Sequence, residues 1–268
     1  MNHRRSLDGA RVWITGASSG IGEAIITPLI ARGARLAISA RRAGRLAEIA
    51  GTWQARGADV RAFPLDVLDL TAVRRTVAEI ELVFGGIDLA ILNAGSHLPG
   101  DNRIFDGQQF ADNMALNYLG MVYGIDAVLP GMLTRGRGHI AGVASAAGFR
   151  AVPAAAAYGA SKAAVIHLLD SIRFELEPRG IAVTVVNPGF VKTPLTDRNR
   201  YPMPFLMPVD RAAEALVRGL EAGRREVHFP RIFTLALKFL RILPYPIYHR
   251  IIWRATRGRR LAKDATLG

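Results

Sequence analysis

Tyr158 and Lys162 stand four residues apart in AAYGASKAAVIHLL, the stretch from Ala156 to Leu169. The rest of that stretch is small or apolar and reads as a buried helix. At this spacing a phenol and an ammonium share one helical face. A lysine in apolar surroundings is costly unless its charge has a use. The chemistry open to the pair is proton transfer, because a nearby ammonium favours the phenolate form of tyrosine. The plain alternative is a helix edge with the lysine tip reaching water.

A second group lies near the N-terminus. The first apolar run leads into TGASSGIG, with Gly16, Gly20 and Gly22. A glycine-rich turn from strand to helix lets backbone approach a pyrophosphate. The spacing is G-x-x-x-G-x-G rather than the more familiar G-x-G-x-x-G. The next strand ends in ISARR, where NAD sites usually place an acid against the ribose 2′-hydroxyl. Here Arg41 and Arg42 follow Ala40. A guanidinium suits a 2′-phosphate, which an acid would repel, so NADP(H) is expected over NAD(H).

The elements that must position these groups alternate along the chain. Strands are expected over Arg11–Thr15, Arg35–Ser39, Val60–Pro64, Leu89–Leu92, Gly138–Val143 and Ile181–Val186. Helical spacing fills Gly22–Arg32, Arg42–Arg56 and Leu70–Phe84. This order implies an α/β fold, a Rossmann-like doubly wound parallel sheet with helices on both faces. Gly33, Gly57, Gly85, Gly86 and Gly180 stand where helices should stop. Pro28 lies inside the first helix and predicts a kink near Thr27–Pro28.

Composition bounds the rest. With 268 residues, half of them hydrophobic, the chain can bury a large core. It has no cysteine, which excludes disulfides and thiolate metal sites and fits a reducing compartment. The N-terminal residues lack the apolar run of a secretory signal. The longest uncharged run, Asn113 to Ile125, is short of the roughly 18 residues a spanning helix needs. No His/Asp/Glu cluster has metal-ligand spacing. A cytoplasmic location is the expectation.

With these motifs in place, the chain resembles the short-chain dehydrogenase/reductase family. TGASSGIG, LNAG (Leu92–Gly95), Asn117 in NYLG, Ser145, Y-x-x-x-K (Tyr158–Lys162) and NPGFVKT (Asn187–Thr193) occur in the family's order and spacing, over roughly Leu7 to Pro230. The resemblance implies a dinucleotide turn of Gly16, Ser18, Ser19, Gly20, Ile21 and Gly22. It places the adenine contact at Asp66 and Val67, and Asn93, Ala94 and Gly95 along the cofactor cleft. Pro188, Gly189, Val191 and Thr193 would reach the nicotinamide carboxamide. Asn117, Ser145, Tyr158 and Lys162 would form the catalytic tetrad.

In that reading Tyr158 is the general acid in carbonyl reduction and the base in oxidation. A free phenol, with pKa about 10, is a poor acid–base near neutrality, and Lys162 tunes it while binding the ribose hydroxyls. Ser145 holds the substrate oxygen, and Asn117 holds a relay water. The chain departs from the family at Leu92, often Asn, and at Ala144, often Ser. Neither departure removes a tetrad member. His97 and His167 read as a loop histidine and a helix-edge histidine.

The net charge of +13 would by itself suggest nucleic acid. The distribution argues against it. Residues Pro230 to Gly268 hold nine Lys/Arg and one acid, a charge of +8, which leaves +5 for the first 229 residues. The chain therefore divides into a catalytic domain, 1–229, and a basic amphipathic C-terminal extension, 230–268. In PRIFTLALKFLRIL, Arg231, Thr234, Lys238 and Arg241 form a narrow polar stripe, and Pro244 and Pro246 end the helix. Such a helix suits peripheral contact with a membrane surface. The alternatives are packing on the body, on a second subunit or over the substrate cleft.

The reading is an NADP(H)-dependent oxidoreductase acting on a carbonyl or secondary alcohol, with a lipophilic substrate if the extension meets lipid. Family resemblance implies a homodimer or homotetramer. The rival is a catalytically idle dinucleotide-binding regulator on the same fold. Loops around Ser96–Phe105, Phe149–Ala155 and Thr193–Val209 would contact substrate.

Overall fold

The strands are short and almost continuously apolar because helices cover both faces of the sheet. The computed structural model describes residues 5–97, 105–153, 155–198 and 203–257. Among these, β1 (Arg11–Thr15), β2 (Arg35–Ser39), β3 (Val60–Ala62), β4 (Leu89–Leu92), β5 (Gly138–Val143), β6 (Ile181–Pro188) and β7 (Glu226–Phe229) form one sheet. All pairs are parallel, in the order β3-β2-β1-β4-β5-β6-β7.

The helices are α1 (Gly20–Ala24), α2 (Ile26–Ile30), α3 (Ala43–Gln54), α4 (Leu70–Phe84), α5 (Gly107–Met114), α6 (Gly120–Arg135), α7 (Ala156–Leu176), α8 (Val209–Glu221), α9 (Arg231–Ile242) and α10 (Tyr245–Arg257).

Strand periodicity sorts the side chains into two cores. Val12 and Ile14 of β1, Leu36 and Ile38 of β2 and Ile91 of β4 face α1, α2, α3 and α8. Their neighbours Trp13, Ala37, Ala90 and Leu92 face α4, α6 and α7. Each fully buried large aliphatic contributes about 1.5–3 kcal/mol.

Helix α4 shows how the local sequence sets an element. The Asp69 carboxylate caps its start by accepting from the Ala72 N–H at 2.9 Å. Val73, Val77, Ile80 and Phe84 are buried along one stripe. Gly85 ends it with a left-handed φ of 81°, a conformation that favours glycine.

Three expectations are corrected. The break in the first helix falls at Ile25, between α1 and α2, rather than at Thr27–Pro28. Pro28 has no N–H and its ring clashes with the carbonyl four residues earlier, that of Ala24, so the disruption appears there. β3 ends at Ala62, not Pro64. β7 was absent from the strand reading; its EVHF is only four residues long and alternates half-buried with buried positions.

The order β3-β2-β1-β4 places neighbours of β1 on both sides, with the chain reversing direction along the sheet at β1/β4. In open α/β sheets a crevice forms at the carboxyl ends of the strands at this point.

Candidate active site

Six of the segments singled out for chemistry lie at the carboxyl ends of strands. The glycine turn follows β1, Arg41 and Arg42 follow β2, and Asp66 and Val67 lie past β3. Asn93 to His97 follow β4, Ser145 follows β5, and Pro188 to Thr193 close β6.

The glycine turn is tightly fitted. A Cβ on Gly22 would lie 2.3 Å from the Gly16 carbonyl oxygen and 2.4 Å from Asn93 Nδ2. Asn93 Nδ2 donates to the carbonyls of Thr15 (3.1 Å) and Gly16 (3.3 Å). Thr15 Oγ1 accepts from the N–H groups of Asn93 and Ala94. Asn93 therefore braces the turn with its side chain. Across the crevice, Thr193 Cγ2 lies 3.4 Å from where a Gly20 Cβ would stand. Val191 is buried beneath, and Gly189 N–H donates to the Phe229 carbonyl. Ser19 is exposed and Ile21 packs on the core. Gly16 and Gly22 are thus packed too closely for side chains, which keeps the backbone of the turn bare at the end of β1.

Arg42 bends back over the turn. Its Nη2 donates to the Ser18 carbonyl at 2.7 Å and to Ser18 Oγ at 3.0 Å. Arg41 is exposed at the end of β2. Asp66 accepts from the Leu68 N–H at 3.1 Å, and Val67 packs against Gly120.

The tetrad candidates converge on α7. Lys162 is 3% exposed, donates from Nζ to the Val143 carbonyl at 3.0 Å and lies 5.8 Å from the Tyr158 ring centroid. Burial pushes its ammonium down to about 8. No carboxylate pairs with it among the described residues. Asn117 is fully buried in a π-helical turn, Ala115–Leu119; such turns recur at functional positions. Its Oδ1 accepts from the Ser96 N–H at 2.9 Å, and its Nδ2 donates to the Ser96 carbonyl at 3.0 Å and to Ser161 Oγ at 2.9 Å. Gly95 sits against both groups: its Cβ would meet Asn117 Oδ1 at 2.7 Å and Lys162 Nζ at 3.1 Å. Ser145 Oγ accepts from the Ala147 N–H, capping a short turn that packs on α7.

His97, which the sequence reads as a loop histidine after LNAG, brings its ring 5.2 Å from that of Tyr158, and burial lowers its pKa. The structure adds residues that the sequence did not single out. Ser161 holds Asn117 and donates to the Tyr158 carbonyl. Phe190, Phe205 and Phe233 form an aromatic group beside the end of β6, with ring separations of 5.2 and 6.4 Å from Phe233. No local pattern marks these residues, because each is defined by a neighbour distant in sequence. His167 is exposed on α7. Of the substrate-side loops, 98–104, 154 and 199–202 lie outside the described residues, as do Arg259, Arg260 and Lys263 of the extension.

A doubly wound parallel sheet, a glycine turn after β1 and a Tyr–Lys helix at the switch point define a dinucleotide-dependent oxidoreductase fold. The family model for short chain dehydrogenases matches residues 10–203. The chain is 36% identical over 235 residues to a protein of Myxococcus xanthus strain DK1622 named as an uncharacterized oxidoreductase, covering 88% of this chain and 93% of that one. A short chain dehydrogenase/reductase from Burkholderia phymatum, solved in complex with NAD, superposes with a TM-score of 0.80 at 24% identity, over 87% of this chain and 93% of that one. A short chain dehydrogenase from Burkholderia cenocepacia J2315, solved in complex with NADP, gives 0.73 at 29% identity, over 84% and 97%. The chain belongs to the short-chain dehydrogenase/reductase family, and is an oxidoreductase of that NAD(P)-binding, small-molecule family. Among the described residues no helix is long and apolar enough to cross a membrane, and no metal-binding group of His, Asp or Glu occurs.

Proposed function

We propose that this protein is an NADP(H)-dependent reductase or dehydrogenase of a carbonyl or secondary alcohol. The observation that carries the reading is Lys162, a buried ammonium with no carboxylate partner among the described residues, beside Tyr158. Burying an unpaired cation is costly, and a phenol that must become a phenolate gives it a use.

When bound, the cofactor supplies or accepts the hydride. Gly16, Ser18, Ser19, Gly20, Ile21 and Gly22 would hold its pyrophosphate, Asp66 and Val67 the adenine, and Asn93, Ala94 and Gly95 the cleft wall. Pro188, Gly189, Val191 and Thr193 would hold the carboxamide end. Arg41 and Arg42 favour a 2′-phosphate. Arg42 already lies on Ser18 at the turn, and Arg41 is exposed beside it.

In reduction Tyr158 gives its hydroxyl proton to the substrate oxygen, and in oxidation it takes that proton back. Ser145 donates to the same oxygen as charge develops. Lys162 favours the phenolate, and Asn117 positions the proton relay. An idle regulator would have no need of a buried, unpaired Lys162.

The proposal includes a division near residue 229/230 into a catalytic domain and an extension, a homodimer or homotetramer, and peripheral membrane contact through the extension. The test is fluorescence titration of NADPH and NADH into wild type and Arg41→Ala. Tighter NADPH binding that Arg41→Ala erases supports the cofactor assignment; equal binding of both nucleotides by wild type refutes it. Turnover across a carbonyl panel, lost in Tyr158→Phe, tests the chemistry.

A further inference from the structure

Helix α9 is turned opposite to what its composition suggests. Thr234 and Lys238, from its polar stripe, face the protein. Thr234 is fully buried and its Oγ1 meets His228 Nδ1 at 2.7 Å. Lys238 pairs with Glu226, whose carboxyl burial would raise but whose bonds to Lys238 and Asn187 hold below the usual range. Phe233 and Leu237 pack against the core.

The C-terminal end of α9 is clamped from the loop after Ser145. Arg150 Nη1 donates to the carbonyls of Leu240, Arg241 and Leu243, at 2.8–3.0 Å. The same guanidinium stands 3.8 Å over the Tyr248 ring, and the Tyr248 hydroxyl donates to the Ala151 carbonyl.

With those contacts made, the apolar residues left over point outward. Ile232, Leu235, Phe239 and Ile242 are 71%, 49%, 62% and 75% exposed. At 100° per residue they fall on a single stripe. Tyr245, Ile247, Ile251 and Trp253 are also exposed on α10. A soluble monomer rarely leaves an apolar stripe such as that of α9 uncovered.

Charge chooses the occupant. From Pro230 to Arg257 the sequence has six Lys/Arg and no acidic residue. Arg231, Arg241, Arg250 and Arg254 are exposed. A two-fold contact between copies would set these cations against one another with no carboxylate on the face to offset them. An anionic lipid surface attracts each by about 1 kcal/mol. Exposed Trp and Tyr also favour the headgroup level.

We propose that the outward face of α9 and α10 docks flat on an anionic phospholipid bilayer. The inward face of the same helices holds the loop after Ser145 and, through Phe233, the aromatic group at the end of β6. The substrate side of the enzyme then lies about one helix diameter, roughly 10 Å, from lipid, and the substrate is a lipophilic carbonyl or alcohol drawn from the bilayer. The docking surface deepens the membrane part of the proposed function and does not depend on its cofactor assignment.

The test uses the full chain with phosphatidylserine-containing and pure phosphatidylcholine vesicles. Wild type sediments with the anionic vesicles, less at high salt, and its tryptophan emission shifts to the blue. Trp253→Phe abolishes the shift. Leu235→Asp/Phe239→Asp lowers partitioning by about tenfold or more, with NADPH binding and melting temperature unchanged, since both side chains are exposed. Wild type that stays in the supernatant with anionic vesicles overturns the proposal. So does a dimer, seen by analytical ultracentrifugation, that the double substitution dissolves while vesicle binding persists. Loss of NADPH binding in wild type would refute the cofactor reading and leave the lipid result standing.

Discussion

The imidazole of His97 lies against the ring of Tyr158, centroids 5.2 Å apart and planes tilted by 40°. It reaches that position from the loop after β4. Burial lowers its pKa, so at neutral pH the ring is uncharged and adds no second cation to the one on Lys162. His97→Ala is expected to lower kcat/KM by about fivefold to tenfold, the value of one polar or packing contact of about 1 kcal/mol. NADPH affinity should stay within twofold. Steady-state kinetics beside a cofactor titration checks this, and equal losses in both would place His97 with the cofactor instead.

Arg42 and Ser18 form the link between the ends of β1 and β2. Charge-assisted hydrogen bonds of this kind contribute about 1.5–3 kcal/mol. Arg42→Ala is expected to weaken NADPH binding by roughly tenfold to a hundredfold, and NADH binding much less. Arg42→Lys should restore only part of the loss, because the forked donor set is gone. Isothermal titration with both nucleotides decides the matter.

Gly22 has no room for a methyl group. The nearest atom a Cβ would meet is a backbone oxygen, which cannot rotate away. Gly22→Ala should abolish binding of either nucleotide while leaving most of the helical circular dichroism intact. Retained binding would mean that the turn relaxes.

The Lys162 ammonium titrates at about 8 in the folded chain and near 10.4 when unfolded. Between those values the unfolded chain holds more protons, so stability rises with pH across that window. Below pH 8 the full cost of burying the charge is present. Ligand-free Lys162→Met should therefore melt a few degrees above wild type at pH 7, with the gap narrowing as pH rises past 8, and should lose turnover. Differential scanning calorimetry from pH 7 to 10 tests the sign.

His139 is wholly buried on β5, with Nε2 2.8 Å from Thr184 Oγ1. The Thr184 hydroxyl already donates to the Arg224 carbonyl, so His139 Nε2 is the donor. Burial holds its pKa at about 3. Between pH 6.5 and 3 the unfolded chain takes up a proton that the folded chain refuses, and stability falls with pH. His139→Leu should flatten that part of the profile, measured as urea unfolding midpoints at pH 7 and pH 4.5.

The alternation of strands and helices and the parallel sheet were legible in the chain because each depends on a local pattern. Period-two and period-3.6 apolar spacing, stop glycines and four-residue separations survive without tertiary information. α4 matched its expected bounds for that reason, with a cap, a stripe and a stop glycine all in line. β7 lacked such a pattern and was missed.

The amino-acid sequence by itself determined which groups can do chemistry and roughly where along the chain they sit. Only the tertiary structure decided which of them meet. Asn117 and Ser161 are 44 residues apart and share a hydrogen bond; Thr193 Cγ2 lies 3.4 Å from where a Gly20 Cβ would stand. The clearest case is α9. Thr234 and Lys238 look solvent-facing in sequence, yet His228 and Glu226 draw them onto the protein, and Ile232, Leu235, Phe239 and Ile242 are left outside. A helical periodicity records that two faces differ. Which face turns inward depends on the charges waiting on the surface it lands on, and those come from elsewhere in the chain.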